Sequence, residues 1–170
     1  WLVHLAADRL GVEPDCLFDV SLGYDLAGIR TDKVRRFLSW MEDCSELLEE
    51  LGRPDLRPPP TRVSDTLTLS TFHGCPAEEI ESIAMQTLDW GWHTVVKLNP
   101  TLLGFERARG SLDAMGYTHI ALNRQDFEKD LGWEPMLAMV ARLKAHAASL
   151  GRGFGVKFTN TQIVENHRDF

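Results

Sequence analysis

The sequence is poor in the features that mark membrane, secreted and nucleic-acid-binding chains. It holds three cysteines, Cys16, Cys44 and Cys75, an odd number set far apart. That is no disulfide framework, and it predicts reduced thiols in a cytoplasmic protein. Neither C-x-x-C nor H-x-x-x-H spacing occurs, so no zinc or iron–sulfur site is expected within the chain. There is no run of 18 apolar residues and no signal-peptide pattern, which predicts no membrane span. Eighteen Lys and Arg stand against 25 Asp and Glu, a net charge of −7. The basic face that a phosphate backbone requires is missing, so nucleic acid is not the expected partner. What is present is an ordinary globular balance, 44% hydrophobic and 25% charged over 170 residues. Such a chain suits one domain spanning residues 1–170, able to bury roughly two-thirds of its unfolded surface. It starts at Trp1 and stops at Phe170, and is expected to be an internal piece of something longer.

Hydrophobic periodicity then sets out an order of elements. Residues 1–10 read as a helix stopped by Gly11, and residues 17–22 as a strand that meets Gly23. Thr31 and Asp32 can cap a helix with Val34, Phe37, Leu38, Met41, Leu47, Leu48 and Leu51 on one face, ended by Gly52 and Pro54. Residues 57–61 form a stiff, proline-rich connection. Strands follow at 66–70, 93–98, 118–122 and 154–158. Helices fall at 76–90, 102–115 and 135–150. Their expected core residues are Ile80, Ile83, Ala84, Thr87 and Leu88, then Leu137, Val140, Ala141, Leu143 and Leu150. Strand–helix alternation predicts parallel β/α units, hence an α/β fold.

Two architectures share that rhythm, a doubly wound open sheet and a (β/α)₈ barrel. The first should carry G-x-G-x-x-G directly after a strand. Gly151, Gly153 and Gly155 precede a strand instead, and read as a helix stop with strand entry. The expected fold is therefore a partial TIM-type barrel of about five parallel strands with alternating helices.

Polar residues gather where such strands finish. Ser21 and Tyr24 follow the first strand; Thr71, His73 and Cys75 the second. Lys97 and Asn99 close the third and Asn123 the fourth, with Lys157, Thr159 and Asn160 at the fifth. C-terminal strand ends are the chemical rim of a barrel and the ligand side of an open sheet. Cys75 precedes Pro76, a favoured first helical residue, which makes Cys75 the expected N-cap. The helix dipole there would lower its thiol pKa modestly, against Glu78 and Glu79. Lys97 and Lys157 each sit in an apolar strand, where a lysine is costly to bury, so each either points to an anion or an electron-rich ring or snorkels outward. A Schiff-base lysine would look the same. The amides and hydroxyls of Asn99, Thr159 and Asn160 suit recognition of carbonyls and ring nitrogens. His73 can exchange a proton near neutrality.

Four segments carry a family resemblance: Phe18-Asp-Val-Ser-Leu-Gly-Tyr-Asp-Leu-Ala-Gly-Ile29, Thr68-Leu-Ser-Thr-Phe-His-Gly-Cys-Pro76, Val96-Lys-Leu-Asn-Pro-Thr-Leu-Leu-Gly104 and Gly153-Phe-Gly-Val-Lys-Phe-Thr-Asn-Thr161. Together they closely resemble the selenate reductase large subunits, which are glutamate-synthase-like NADPH oxidoreductases. The resemblance implies the middle of an N-terminal barrel similar to the flavin barrel of dihydroorotate and dihydropyrimidine dehydrogenases. It also implies FAD, NADPH and iron–sulfur clusters elsewhere in the full-length polypeptide. By the same resemblance Cys75-Pro76 is similar to the proton-transferring pair of those dehydrogenases. Lys97 resembles their strand lysine, and Thr159-Asn160-Thr161 their flavin-binding strand end, with Lys157 a second candidate. Where those enzymes have an asparagine three residues before the cysteine, this chain has Phe72.

The expected function is thus part of the flavin barrel of a multidomain NADPH-dependent iron–sulfur flavoprotein oxidoreductase acting on a small molecule. FMN would lie across the strand mouths, held by Lys97, Asn99, Asn123, Lys157, Thr159 and Asn160, with Cys75 and His73 handling the proton. Two rival readings stand beside it. One is a non-catalytic barrel on which the other redox domains of the same polypeptide dock; the other is a Schiff-base lyase using Lys97 or Lys157. The 170-residue piece alone is expected to be inactive and to self-associate through open strand edges.

Overall fold

The computed structural model describes residues 6–7, 9–12, 18–56, 61–71, 73–158 and 160–165. Most of the opening helix expected over residues 1–10, and residues 57–60 of the proline-rich connection, lie outside them. Four strands form one sheet: β1 (Asp19–Leu22), β2 (Thr66–Ser70), β3 (His93–Lys97) and β4 (Phe154–Lys157). They run parallel, in sequence order.

Register explains both faces of this sheet, because parallel partners point the same way. One face aligns Val20, Leu67, Thr94 and Phe154, then Leu22, Leu69, Val96 and Val156. This face is buried under helices. α2 (Asp32–Glu42) lays Val34 and Leu38 on it, α4 (Ala77–Asp89) Ile80, Ile83, Ala84 and Leu88, and α7 (Trp133–Ser149) Met136, Met139, Leu143 and Ala147. The opposite face aligns Ser21, Thr68, Val95 and Gly155, then Ser70, Lys97 and Lys157. Among the described residues the core lies on one face only. A doubly wound sheet needs helices on both; helices on one side and polar side chains on the other are the arrangement of part of a barrel wall.

Short elements fill the connections. α1 (Leu26–Ile29) is capped by Asp25, whose carboxylate accepts from the Gly28 amide at 2.6 Å. The single helix expected from Thr31 onward is two, α2 and α3 (Ser45–Glu50). The Cys44 amide donates outward to the Thr61 carbonyl at 3.0 Å, and the Asp43 carboxylate caps Ser45. These bonds divert the chain, leaving Phe37 and Leu51 exposed. The helix expected at 102–115 is likewise split. A 3₁₀ turn at Pro100–Leu103 ends at Gly104, and α5 (Phe105–Ala114) begins beyond it. Gly104 has φ of +77°, a conformation costly for any residue with a Cβ.

The strand expected over residues 118–122 does not form. The β3 edge is already occupied by β4, and carbonyls in and beside this segment bond elsewhere, that of Ala121 accepting from the Glu165 amide at 2.9 Å. The Arg109 guanidinium donates to the Tyr117 carbonyl at 2.9 Å and also to that of Ile120. The sheet therefore has four strands, not five. From β3 the chain makes a long excursion through α5 and α6 (Arg124–Lys129) before entering α7. Phe105 packs edge-on against Phe127 at 5.5 Å, and the Arg124 guanidinium lies 4.1 Å above the Phe105 ring.

Candidate functional site at the strand ends

Parallel strands deliver their C-terminal ends to one side, and the polar residues collect there. Lys97 and Lys157 are the last residues of β3 and β4 and are direct register partners, with Ser70 beside Lys97 on β2. Two ammonium stems thus rise next to each other from the open face. Two residues earlier on the same face Val95 pairs with Gly155, whose missing side chain leaves space beside the Val95 methyl groups. The backbone around the pair is fixed: the Thr71 hydroxyl donates to the Lys97 carbonyl at 2.8 Å, and the Leu98 amide to the Lys157 carbonyl at 2.8 Å.

Beyond the lysines lies a buried network centred on Asp130, at the end of α6. Its side chain is 2% exposed. One carboxylate oxygen accepts from the Gly74 amide. The other accepts from His73 Nδ1 at 2.7 Å, Thr101 Oγ1 at 2.7 Å and Asn99 Nδ2 at 3.3 Å. Burial pushes the Asp130 pKa up, but the Gly74 amide, the Thr101 hydroxyl and His73 together outweigh it and hold it below the usual carboxylate range. On its far side the His73 ring places Nε2 3.2 Å from the Thr161 carbonyl. Both ring nitrogens therefore face oxygen atoms. Asn99 extends the network to the loop after β4, its Oδ1 accepting from Asn160 Nδ2 at 2.5 Å. The Asn160 side-chain Oδ1 in turn accepts from the Thr161 amide at 2.9 Å.

Two predicted residues sit differently from expectation. Cys75 is not a helix N-cap; Pro76 takes that position, in extended backbone before Ala77. The thiol is buried, 3% exposed, in the apolar cluster with Leu22, Leu69, Ile80 and Ile83. Burial, helped by Glu79 and Asp130, raises its pKa to about 11, the opposite of the expected lowering. Asn123 does not close a strand. It caps α6, accepting from the Gln125 amide at 3.0 Å, away from the network. Thr159 lies outside the described residues. Sequence reasoning missed Asp130 and Thr101. Thr101 lies two residues after Asn99, within the same Asn-Pro-Thr turn, and that nearness is its signal in the sequence. Asp130, between Lys129 and Leu131, looks like any solvated acid after a short amphipathic stretch, and no local signal separates it.

The arrangement offers two kinds of chemistry. The in-register lysines beside the gap at Gly155 could meet a planar, electron-rich or anionic ring. The half-buried imidazole, braced by a carboxylate, can exchange a proton. The residues positioned to hold such a ring are Lys97, Lys157 and Ser70, with the Asn99–Asn160 pair at the margin.

Comparison with protein families matches residues 1–170 to the family described as "Oxidoreductase YgfK, N-terminal TIM-barrel domain". Two curated relatives, from Escherichia coli strains K12 and O157:H7, carry the name "Putative oxidoreductase YgfK". Each is 38% identical over 180 residues, covering 89% of this chain. The chain spans 17% of the length of these relatives. No solved structure matches. No helix among the described residues is long and apolar enough to cross a membrane.

Proposed function

We infer the function from membership: the chain belongs to the oxidoreductase YgfK N-terminal TIM-barrel family, and we propose that it forms part of a flavin-binding barrel within a larger NADPH-dependent iron–sulfur oxidoreductase. The observation that carries this reading is the in-register pair Lys97 and Lys157 on the open sheet face, beside the His73–Asp130 network. FMN, when bound there, would supply hydride chemistry. Lys97 and Lys157 would neutralise negative charge on its ring, and Ser70 would lie within the same row. Asn99 and Asn160, already bonded to each other, would form one wall of the mouth. His73 would exchange the proton that accompanies hydride transfer to or from a small-molecule substrate. Cys75 supports this reading less, because its thiol is buried and retains its proton. In this proposal Cys75 packs beneath the turn that carries His73.

The test is flavin content of the whole protein. Purified full-length protein is expected to hold FMN in addition to FAD, and the double variant Lys97→Met, Lys157→Met to lose the FMN while keeping the FAD. Removal of the two charges should weaken flavin binding by about 1–3 kcal/mol per lysine. A protein containing FAD alone would instead support the docking-platform reading, which the burial of Cys75 favours. Within the flavin reading, His73→Asn is expected to cut turnover by about 10²-fold or more, while Cys75→Ser leaves it largely intact. The reverse pattern would return the proton to Cys75.

A further inference from the structure

We propose that Asp130 is a positioning residue: its ionised carboxylate cross-links the excursion between β3 and α7 to the turns after β2 and β3, and so fixes the His73 ring and the segment that seats Cys75. The inference rests on the reading above only in taking His73 as the proton carrier.

The chemistry of the four partners is the starting point. The Gly74 amide, the Thr101 hydroxyl, the Asn99 amide nitrogen and His73 Nδ1 all lie within bonding distance of the carboxylate, and all can donate to it. The Gly74 and Asn99 nitrogens can only donate, and a deprotonated carboxylate accepts from these two, from the hydroxyl and from a ring N–H alike. A primary amide of the same shape would turn an N–H₂ group toward donors on one side or the other, leaving buried donors opposed.

Connectivity gives the site its role. Gly74 and His73 belong to the turn after β2, Asn99 and Thr101 to the turn after β3, and Asp130 to the exit of the excursion. Through His73 Nε2 and Asn99 Oδ1 the network also reaches Thr161 and Asn160, after β4. One carboxylate thus joins the ends of three neighbouring strands. Long loops at this end of a barrel carry function and need seating. Among the described residues, no other charged side chain buried to this degree bonds across so many segments. The His73 ring depends on it directly, because among the described residues its other polar contact is a single carbonyl at 3.2 Å.

The experiment is residue-resolved chemical labelling of the full-length protein, comparing wild type with Asp130→Asn and Asp130→Glu. Histidines are modified with diethyl pyrocarbonate and thiols with N-ethylmaleimide, and rates are read peptide by peptide by mass spectrometry. His146, bonded to Asp89 on the helix layer, and Cys44, buried beside α2, serve as internal references. In D130N the labelling of His73 and Cys75 is expected to accelerate by about ten-fold or more, the scale of a lost charge-assisted bond. His146 and Cys44 should hold their wild-type rates, and D130E should restore part of the protection. Unchanged rates at His73 and Cys75 in D130N would overturn the proposal. Should D130N fail to fold and all four sites accelerate together, D130E decides. A rise confined to His73 and Cys75 supports the positioning role, and a uniform rise or none overturns it. Neither flavin nor turnover enters this measurement, so a failure of the flavin reading would appear in FMN content and not here.

Discussion

A side chain's surroundings decide its chemistry at the scale of single residues, and Cys75 shows how far they can reverse expectation. A thiol next to a helix start is ordinarily acidified by the dipole. Here Pro76 carries the N-cap position and the thiol turns inward among Leu22, Leu69, Ile80 and Ile83. With the pKa raised to about 11, the folded state keeps a proton that the unfolded chain releases near pH 8.5. The thiol's contribution to stability is therefore complete below the ordinary thiol range and is lost as pH rises from there through about 11. N-ethylmaleimide labelling of Cys75 in wild-type protein is expected to be slow at pH 7 and to keep climbing to about pH 11. A plateau near pH 8.5 would contradict the burial argument. The sequence disclosed that His73, Cys75, Lys97, Asn99, Lys157 and Asn160 approach a common end, because that follows from strand direction alone. It did not disclose which way each side chain turns. It also concealed Asp130, whose importance comes from donors on two other loops and leaves no trace at its own position.

Element boundaries were legible where one physical cause dominated. β2 and β3 and the buried face of α4 follow from unbroken periodicity: Ile80, Ile83, Ala84, Thr87 and Leu88 are all buried. The stripe expected on α7 holds in part: Leu143 is buried and Val140 packs against the core, but Leu137, Ala141 and Leu150 are exposed, and Met136, Met139 and Ala147 complete the buried face with Leu143, spaced three and four residues apart. Methionine fills irregular gaps between helices as well as leucine does, so the stripe that best fits the α4 surface wins over the most apolar letters. Polar pairs fix the same rotation: Arg142 grips Glu81 with two bonds of 2.6 Å, and His146 meets Asp89 at 2.7 Å. The two leucines make the difference measurable. Leu143, fully buried, should cost about 2–5 kcal/mol on replacement by alanine. Leu137, 45% exposed, should cost about 1 kcal/mol or less. Thermal melting of the L143A and L137A variants decides the register, and equal losses would mean the helix is rotated from its position here. Residues 118–122 were misread for another reason. Their apolar letters suit a strand, but a strand needs a free edge, and whether β3 still has one is a property of the sheet.

Scale matters most for the sheet as a whole. Four parallel strands cannot close a barrel, which needs about eight. Among the described residues β1 and β4 each present one unpaired edge, and apolar side chains crowd both. Next to β1 a cavity of about 650 Å³ is lined by Leu22, Tyr24, Phe37 and Trp40. Next to β4 the exposed rings of Trp133 and Phe158 stack at 6.5 Å, with Leu137 one helical turn along. Unpaired amides and carbonyls beside apolar patches favour pairing with any compatible strand. Among the described residues nothing forms the opposite wall that would enclose a ligand on the polar open face. In a longer polypeptide further β/α units can cover both edges and complete that wall. The 170-residue chain alone can do so only with copies of itself. It is therefore expected to self-associate and to hold FMN weakly or not at all. Sedimentation velocity across a concentration series should show species heavier than the 19.2 kDa monomer, in proportions that rise with concentration. The charge of −7 opposes association, so added salt, which screens it, should drive the equilibrium toward those heavier species. A monomer at every concentration and salt level that binds FMN stoichiometrically would show that the open sheet is self-sufficient and that its exposed edges are not vacancies in a larger wall.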